Sequence, residues 1–203
     1  MRRAQISLEF ILIFGIMLIL LAYSINNVTF SQESQSNELL RVQVSLEAKG
    51  FANSISNTIS QVYAQGPGSK ATTHVTLRYL TDEDYLKKSF NLSGNPEIFI
   101  TYLNGTYVGI IDTTNTTLVT SGTAKNTFWS QSLYRTNLTG STGFTPHGTA
   151  TYSGSTVNGL LISNPGQLPT NLMIVVEWIP GNGNTWKLDM TTGELRINID
   201  PGG

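Results

Sequence analysis

Few residues in this chain could carry acid–base, nucleophilic or metal chemistry. The 203 residues include no cysteine and only two histidines, His74 and His147. No G-x-S-x-G, P-loop or H-E-x-x-H pattern occurs, and no motif pairs either histidine with a serine or a carboxylate. We therefore expect surface histidines, no cofactor, no metal site and a protein that is not an enzyme.

One acidic triplet, Asp82-Glu83-Asp84, is the remaining candidate for metal chemistry. Its carboxylate oxygens would suit Ca²⁺, but the spacing and the glycine of an EF-hand loop do not follow it. The pattern favours a solvated turn.

Charged residues are sparse and nearly balanced. They make up 12% of the chain, and the net charge is −1. This balance excludes a basic surface that could hold nucleic acid through its phosphates, so we expect no nucleic-acid partner. Ser, Thr and Asn are abundant instead, which is typical of strands and turns that face an exterior solvent.

Five Asn-x-Ser/Thr sequons could accept N-linked glycans. A chain this rich in Asn, Ser and Thr would contain several by chance, so their number alone is no sign of selection. The sequon at Asn27 adjoins an apolar segment, where a glycan is sterically unfavourable. The predicted glycosylation sites are the other four, Asn91, Asn104, Asn115 and Asn137.

The distribution of glycine and proline divides the chain into two regions, which must position these residues. All seven prolines and 17 of the 19 glycines lie at or after Gly66. Because these residues interrupt regular structure, their near-absence before that point predicts one continuous helix over residues 5–65. Gly66-Pro67-Gly68 is its predicted stop, and residues 66–203 form the predicted head domain.

The first part of this helix is strongly apolar. Residues 10–32 carry no charge, and residues 10–23 are apolar apart from Gly15. As a helix, residues 5–25 would rise roughly 31 Å, about the hydrocarbon thickness of a bilayer. Arg2 and Arg3 precede the segment, so the positive-inside rule predicts a cytoplasmic N-terminus and an extracellular head.

Glu9 stands at the edge of the apolar run. An ionised carboxylate that enters hydrocarbon is costly and therefore marks a candidate functional site. The alternative is that Glu9 lies among the lipid headgroups and starts the helix, where its charge suits the helix dipole.

The residues around Glu9 resemble the class III signal peptide of archaeal type IV pilins. In that family a short basic leader is cut just before a Gln, and a Q-x-S-x-E-F/Y stretch then opens an apolar helix. Arg3 supplies the basic leader, and Gln5, Ser7, Glu9 and Phe10 match the motif position by position.

The resemblance implies that a prepilin peptidase removes residues 1–4 by cutting between Ala4 and Gln5. The family often has Gly where this chain has Ala4. The precursor would be held in the cytoplasmic membrane. A pilus assembly ATPase and its membrane platform would then build copies of the subunit into an extracellular adhesion filament, with residues 5–25 in its core.

Two other hypotheses remain open for the N-terminus. Conventional secretory cleavage at Ala22-Tyr23-Ser24 would release a soluble protein, although it leaves Glu9 unexplained. An uncut helix would instead be the permanent membrane anchor of an extracellular β-sandwich binding module.

An amphipathic stripe continues the helix over residues 26–65. Its apolar members recur at steps of three and four residues, which is typical of a helix face that packs on a core. They are Leu40, Val44, Ala48, Phe51, Ile55, Ile59 and Val62.

After Gly68 the pattern changes to the alternation of strands. Residues 71–80 form one such run. Residues 98–111 place Asn104-Gly105 between two apolar alternating runs, which strongly predicts a β-hairpin.

The last part of the chain predicts further strands. Residues 172–179 are apolar on both faces, as in a central strand, and the runs 186–190 and 195–199 follow as an expected antiparallel meander. Residues 121–155 predict surface loops with short strands. The expected fold class is α+β, with a long N-terminal apolar and amphipathic helix followed by an antiparallel β-sandwich-like head.

Overall fold

The computed structural model has an α+β fold, which confirms the predicted class. It describes the backbone of residues 2–140 and 147–201, and within the first helix the side chains of residues 10–25 and from 35 onward. The helices are α1 (Arg2–Gln65), α2 (Glu83–Phe90) and a 3₁₀ turn, Pro165–Gln167. The strands are β1 (Lys70–Thr76), β2 (Pro96–Tyr102), β3 (Gly105–Asp112), β4 (Thr117–Leu118), β5 (Thr127–Gln131), β6 (Thr149–Tyr152), β7 (Ser155–Asn158), β8 (Leu160–Ile162), β9 (Asn171–Trp178), β10 (Thr185–Asp189) and β11 (Glu194–Ile199).

The chain divides into two compact units, Met1–Leu39 and Leu40–Gly203. The first consists of the N-terminal part of α1. The second, which we call the head unit, contains the rest of α1 together with α2 and all the described strands.

Within the head unit, α1 supplies one wall of the main core. Six of the seven stripe residues are buried and Leu40 is half-buried, which confirms the predicted helix face. The helix ends where the glycines predict it to end. The N–H of Gly66 donates to the carbonyl of Val62 over 3.1 Å, and Gly66 has φ +89°. Glycine adopts this left-handed conformation without steric cost.

The first sheet has the strand order β1-β9-β11-β10. β9 is an interior strand, as its apolar faces predict. The expected antiparallel meander is wrong, because β9 and β11 pair in parallel and β10 lies outside β11. The loop after β9 crosses the end of β11, where Ile179 N–H donates to Asn198 Oδ1 (3.1 Å) and Gly181 N–H to Asp200 Oδ2 (3.1 Å). These bonds attach the loop to the end of β11, and the chain then turns back as β10 on the far side of β11.

The second sheet has the order β5-β3-β2-β8, and its β2–β3 pair is the predicted hairpin. Every residue of both strands is buried, whereas a two-layer packing would leave one face in water. Ile98 and Ile110 face the main core, while Phe99 and Ile111 face a smaller cluster. That cluster is completed by a third sheet, β4-β6-β7, in which β4 and β6 are parallel. The structure therefore departs from the expected antiparallel sandwich, which would have only two sheets and no parallel strand pairs.

The acidic triplet starts a helix, α2, so the predicted solvated turn is wrong. Asp82 is the N-cap, and its carboxylate accepts the N–H of Tyr85 at 3.0 Å. Lys87 and Lys88 lie in the last turn, where they suit the helix dipole. Asn91 ends the helix in the left-handed conformation, with φ 49°.

Asp112 ties the end of β3 to the loop before β2. Its carboxylate accepts hydrogen bonds from the backbone of Ser93, Gly94 and Asn115, and from both the N–H and the hydroxyl of Thr114. Burial alone would raise the pKa of Asp112, but these hydrogen bonds outweigh it and lower the pKa to about 2.

Candidate functional site

The N-terminal unit contains a helical segment, residues 10–25, that exposes apolar side chains on all sides. The exposed fractions of its large apolar residues run from 50% at Leu18 to 70% at Ile19. The rings of Phe10 and Phe14 stack at 6.3 Å between centroids. Because no polar face interrupts this surface, the segment is stable only among other apolar groups. We call it the apolar segment.

The leader residues predicted to direct processing and assembly are at the start of α1. Phe10 is described and is 68% exposed. The side chains of Arg3, Ala4, Gln5, Ser7 and Glu9 lie outside the described residues, so their roles stay predictions. Among the residues that the structure does describe, no helix has the length and hydropathy needed to cross a membrane.

The four predicted glycosylation sites are all exposed. They lie on irregular backbone: Asn91 caps α2, Asn104 is in the β2–β3 loop, Asn115 follows β3 and Asn137 follows β5. Asn104 Oδ1 accepts the hydroxyl of Tyr107 at 3.0 Å, and Asn137 Oδ1 accepts the N–H of Gly140 at 2.7 Å. Glycosylation there stays a prediction, and the side chain of Asn27 is outside the described residues.

Both histidines are exposed, as expected. His74 pairs with Met173 between β1 and β9, and His147 forms an isolated bridge to Leu160. Across the described part of the chain, no group of three or more His, Asp or Glu side chains could hold a metal ion.

The head unit contains a groove that was not predicted from the sequence. It has a volume of about 450 Å³ and lies between α1 and β5. Three cations line it, Arg41, Lys49 and Lys125. We call it the basic groove. Its sequence signal is faint: Val42 and Leu46 repeat at a spacing of four on α1, off the buried stripe, and that pair alone does not indicate a groove.

One feature of this chain, its N-terminal region, matches a known protein family. Residues 2–28 match the class III signal peptide family. No curated protein and no solved structure matches the chain. A leader of this class indicates pilin-type processing and assembly into a multi-subunit structure, and it belongs to structural subunits rather than to enzymes. The match includes the Gln5 to Phe10 motif and the whole apolar segment. The N-terminal region of this chain is therefore a type IV pilin-like class III leader.

Proposed function

We propose that this chain is a structural subunit of a type IV pilus-like adhesion filament. The observation that carries the proposal is a class III leader whose apolar segment is exposed on every side. A helix of this kind needs apolar neighbours all around it. Identical helices from other copies would supply them in a filament core, and lipid would supply them in the membrane-held precursor.

Assembly by this route changes the polarity around the apolar segment very little. Leaving lipid for a protein core exchanges one apolar environment for another, so the net free energy gained per subunit is small. The process therefore needs an energy source and a guide. In our proposal these are an assembly ATPase and its membrane platform, which act after a prepilin peptidase has cut between Ala4 and Gln5.

Glu9 is assigned a role in docking the incoming subunit. Cleavage frees the amine of Gln5, and a neighbour's Glu9 carboxylate would pair with it in a core where water is scarce. Pairing offsets part of the cost of burying either charge, whereas removal of one partner leaves the other stranded.

The first test is mass spectrometry of the native N-terminus. The mature chain should begin at Gln5, and loss of Arg2 and Arg3 would change the formal charge from −1 to −3. Protein that still starts at Met1 would support a permanent anchor instead. Protein that starts near Ile25 would support conventional secretion.

The second test is Glu9→Gln in the full chain. We expect normal membrane insertion and cleavage, because neither step needs the negative charge, but few or no filaments by electron microscopy. Glu38→Gln is the matched control, since Glu38 is an exposed acidic residue of α1 outside the leader. Normal filament numbers from Glu9→Gln would remove the pairing role and leave the proposed filament standing.

A further inference from the structure

The basic groove combines positive charge with exposed apolar surface. Val42 and Leu46 from α1 form one wall, and Phe128 and Trp129 from β5 form the other. Leu46 is 68% exposed, Val42 56% and Trp129 44%. An adjoining cavity of about 310 Å³ shares Arg41 and Lys125 and extends the groove toward Thr123. Together these features suit a partner that has both acidic and apolar side chains.

Backbone carbonyls and aromatic rings hold Arg41 and Lys49 in place, and the ammonium of Lys125 lies 5.1 Å from the centre of the Phe128 ring. Arg41 Nη2 donates to the carbonyl of Thr123 over 2.5 Å, and its guanidinium carbon lies 5.5 Å from the centre of the Phe90 ring. Lys49 Nζ donates to the carbonyl of Trp129 and lies 5.5 Å from the centre of its ring. These contacts fix where the charges point but do not neutralise them.

No carboxylate of the described residues forms an ion pair with these cations. The ion pairs of the described residues lie elsewhere, in the first sheet, where Glu177 pairs with Lys70 and Arg196, and Arg196 also pairs with Glu194. Burial is the main cause that lowers the pKa of Lys49, and the positive charge of Lys125 nearby lowers it further. An incoming carboxylate would pair with these cations, which have no acidic partner among the described residues. The groove therefore favours an anionic partner.

The same head unit has a surface of the complementary kind at the start of α2. Glu83 and Asp84 are exposed in its first turn, and the adjacent Tyr85 is 37% exposed. We call these three residues the acidic corner. Its carboxylates match the cations of the groove, and its aromatic ring matches the apolar walls.

We infer that the basic groove of one copy binds the acidic corner of the next copy. This inference rests on the proposed function, because the filament is what brings copies together. Two grooves facing each other would bring cation against cation, so a contact between unlike surfaces is favoured. A head-to-tail contact of this kind extends into an open helical array when the rotation it imposes does not close into a ring, and this is the geometry that a filament needs. The contact would fix the register of the heads, while the apolar segments supply the core.

Charge reversal in the full chain tests the contact. Lys125→Glu and Asp84→Lys should each lower the number of filaments about tenfold, because each places like charges across the interface. The double variant restores an opposite pair at every contact, so it should return filament numbers to near the wild-type level. Lys187→Glu is the matched control, since Lys187 is an exposed lysine on β10 and should have no effect.

A cross-linking test does not depend on filaments. The chain has no cysteine, so Leu46→Cys with Asp84→Cys places one thiol in the groove and one in the corner. Under mild oxidation in membranes this pair should give a ladder of multimers, whereas Leu46→Cys with Lys187→Cys should not.

The outcomes separate this inference from the proposed function. A ladder without any filaments would keep the contact and reject the filament. Normal filaments from both charge variants, or a double variant no better than either single, would overturn the contact and keep the filament. Normal assembly combined with loss of binding to anionic vesicles by Lys125→Glu would assign the groove to an external anion and also overturn it.

Discussion

Removal of the second half of α1 should unfold the head unit. Five large apolar residues of this half are fully buried: Val44, Phe51, Ile55, Ile59 and Val62. Burial of a side chain of this kind stabilises by roughly 1.5–3 kcal/mol, so the five together contribute on the order of 8–15 kcal/mol. The whole free energy of unfolding of a typical domain is only about 5–15 kcal/mol. A fragment that lacks them has little or no stability left.

Polar contacts would be lost with the same cut. Ser56 Oγ donates to the carbonyl of Ser130 over 2.8 Å, and Thr58 Oγ1 donates to Thr73 Oγ1 over 2.9 Å. Loss of these side-chain hydrogen bonds adds to the cost.

Two fragments, 31–203 and 66–203, allow the comparison. We expect 31–203 to be monomeric and to unfold cooperatively by circular dichroism, and 66–203 to aggregate because its core face is exposed. Within 31–203, Phe51→Ala should lower the free energy of unfolding by about 3–5 kcal/mol. The control Val42→Ala lies on the exposed face and should change it by less than about 0.5 kcal/mol. A soluble 66–203 fragment with a cooperative transition would refute the packing argument.

Three further perturbations can be measured on the same material. The lowered pKa of Asp112 stabilises the fold at pH values above its ordinary value of 3.8, and this contribution is lost as the pH falls through about 2. The shift corresponds to at most about 2.5 kcal/mol, and solvent screening reduces this to about 1–2 kcal/mol, so Asp112→Asn should lower stability by that amount at pH 7 and flatten its dependence on acid. Gly105→Ala should destabilise by roughly 1–3 kcal/mol in urea unfolding, because the added Cβ would lie 2.3 Å from the carbonyl of Ser130. If the four exposed sequons carry glycans, Asn→Gln at each should lower the mass of the native subunit stepwise, and an unchanged mass would contradict glycosylation at that site.

The helix and the hairpin could be predicted from the sequence because their signals are local. The stop at Gly66 and the Asn104-Gly105 turn are each encoded within a few residues, and the buried stripe repeats over many turns. The fully buried faces of β2 and β3 could not be predicted. Their second face is covered by residues such as Ala150, far along the chain, that form a sheet with little periodicity.

Two predictions from the sequence, the solvated turn at α2 and the antiparallel meander, were wrong for different reasons. The α2 helix has strong caps, Asp82 and Asn91, but only eight residues, so its apolar period is too short to stand out. Beside the parallel β9–β11 pair, side-chain oxygens of Asn198 and Asp200 accept N–H groups of a loop nearly twenty residues earlier, and strand pattern alone does not encode which neighbour a strand selects. The basic groove joins α1 to residues some eighty positions later, which a single sequence does not reveal.

The contact between α1 and β5 also bears on how the subunit avoids misassembly. β5 pairs with β3 on one side only, and an open strand edge is a template for uncontrolled strand addition. Lys49 occupies one carbonyl of that open edge, at Trp129. The helix thus shields the edge from amyloid-like growth while many copies are crowded together. Detaching the helix from the sheet would expose this edge and open a route to irreversible aggregation.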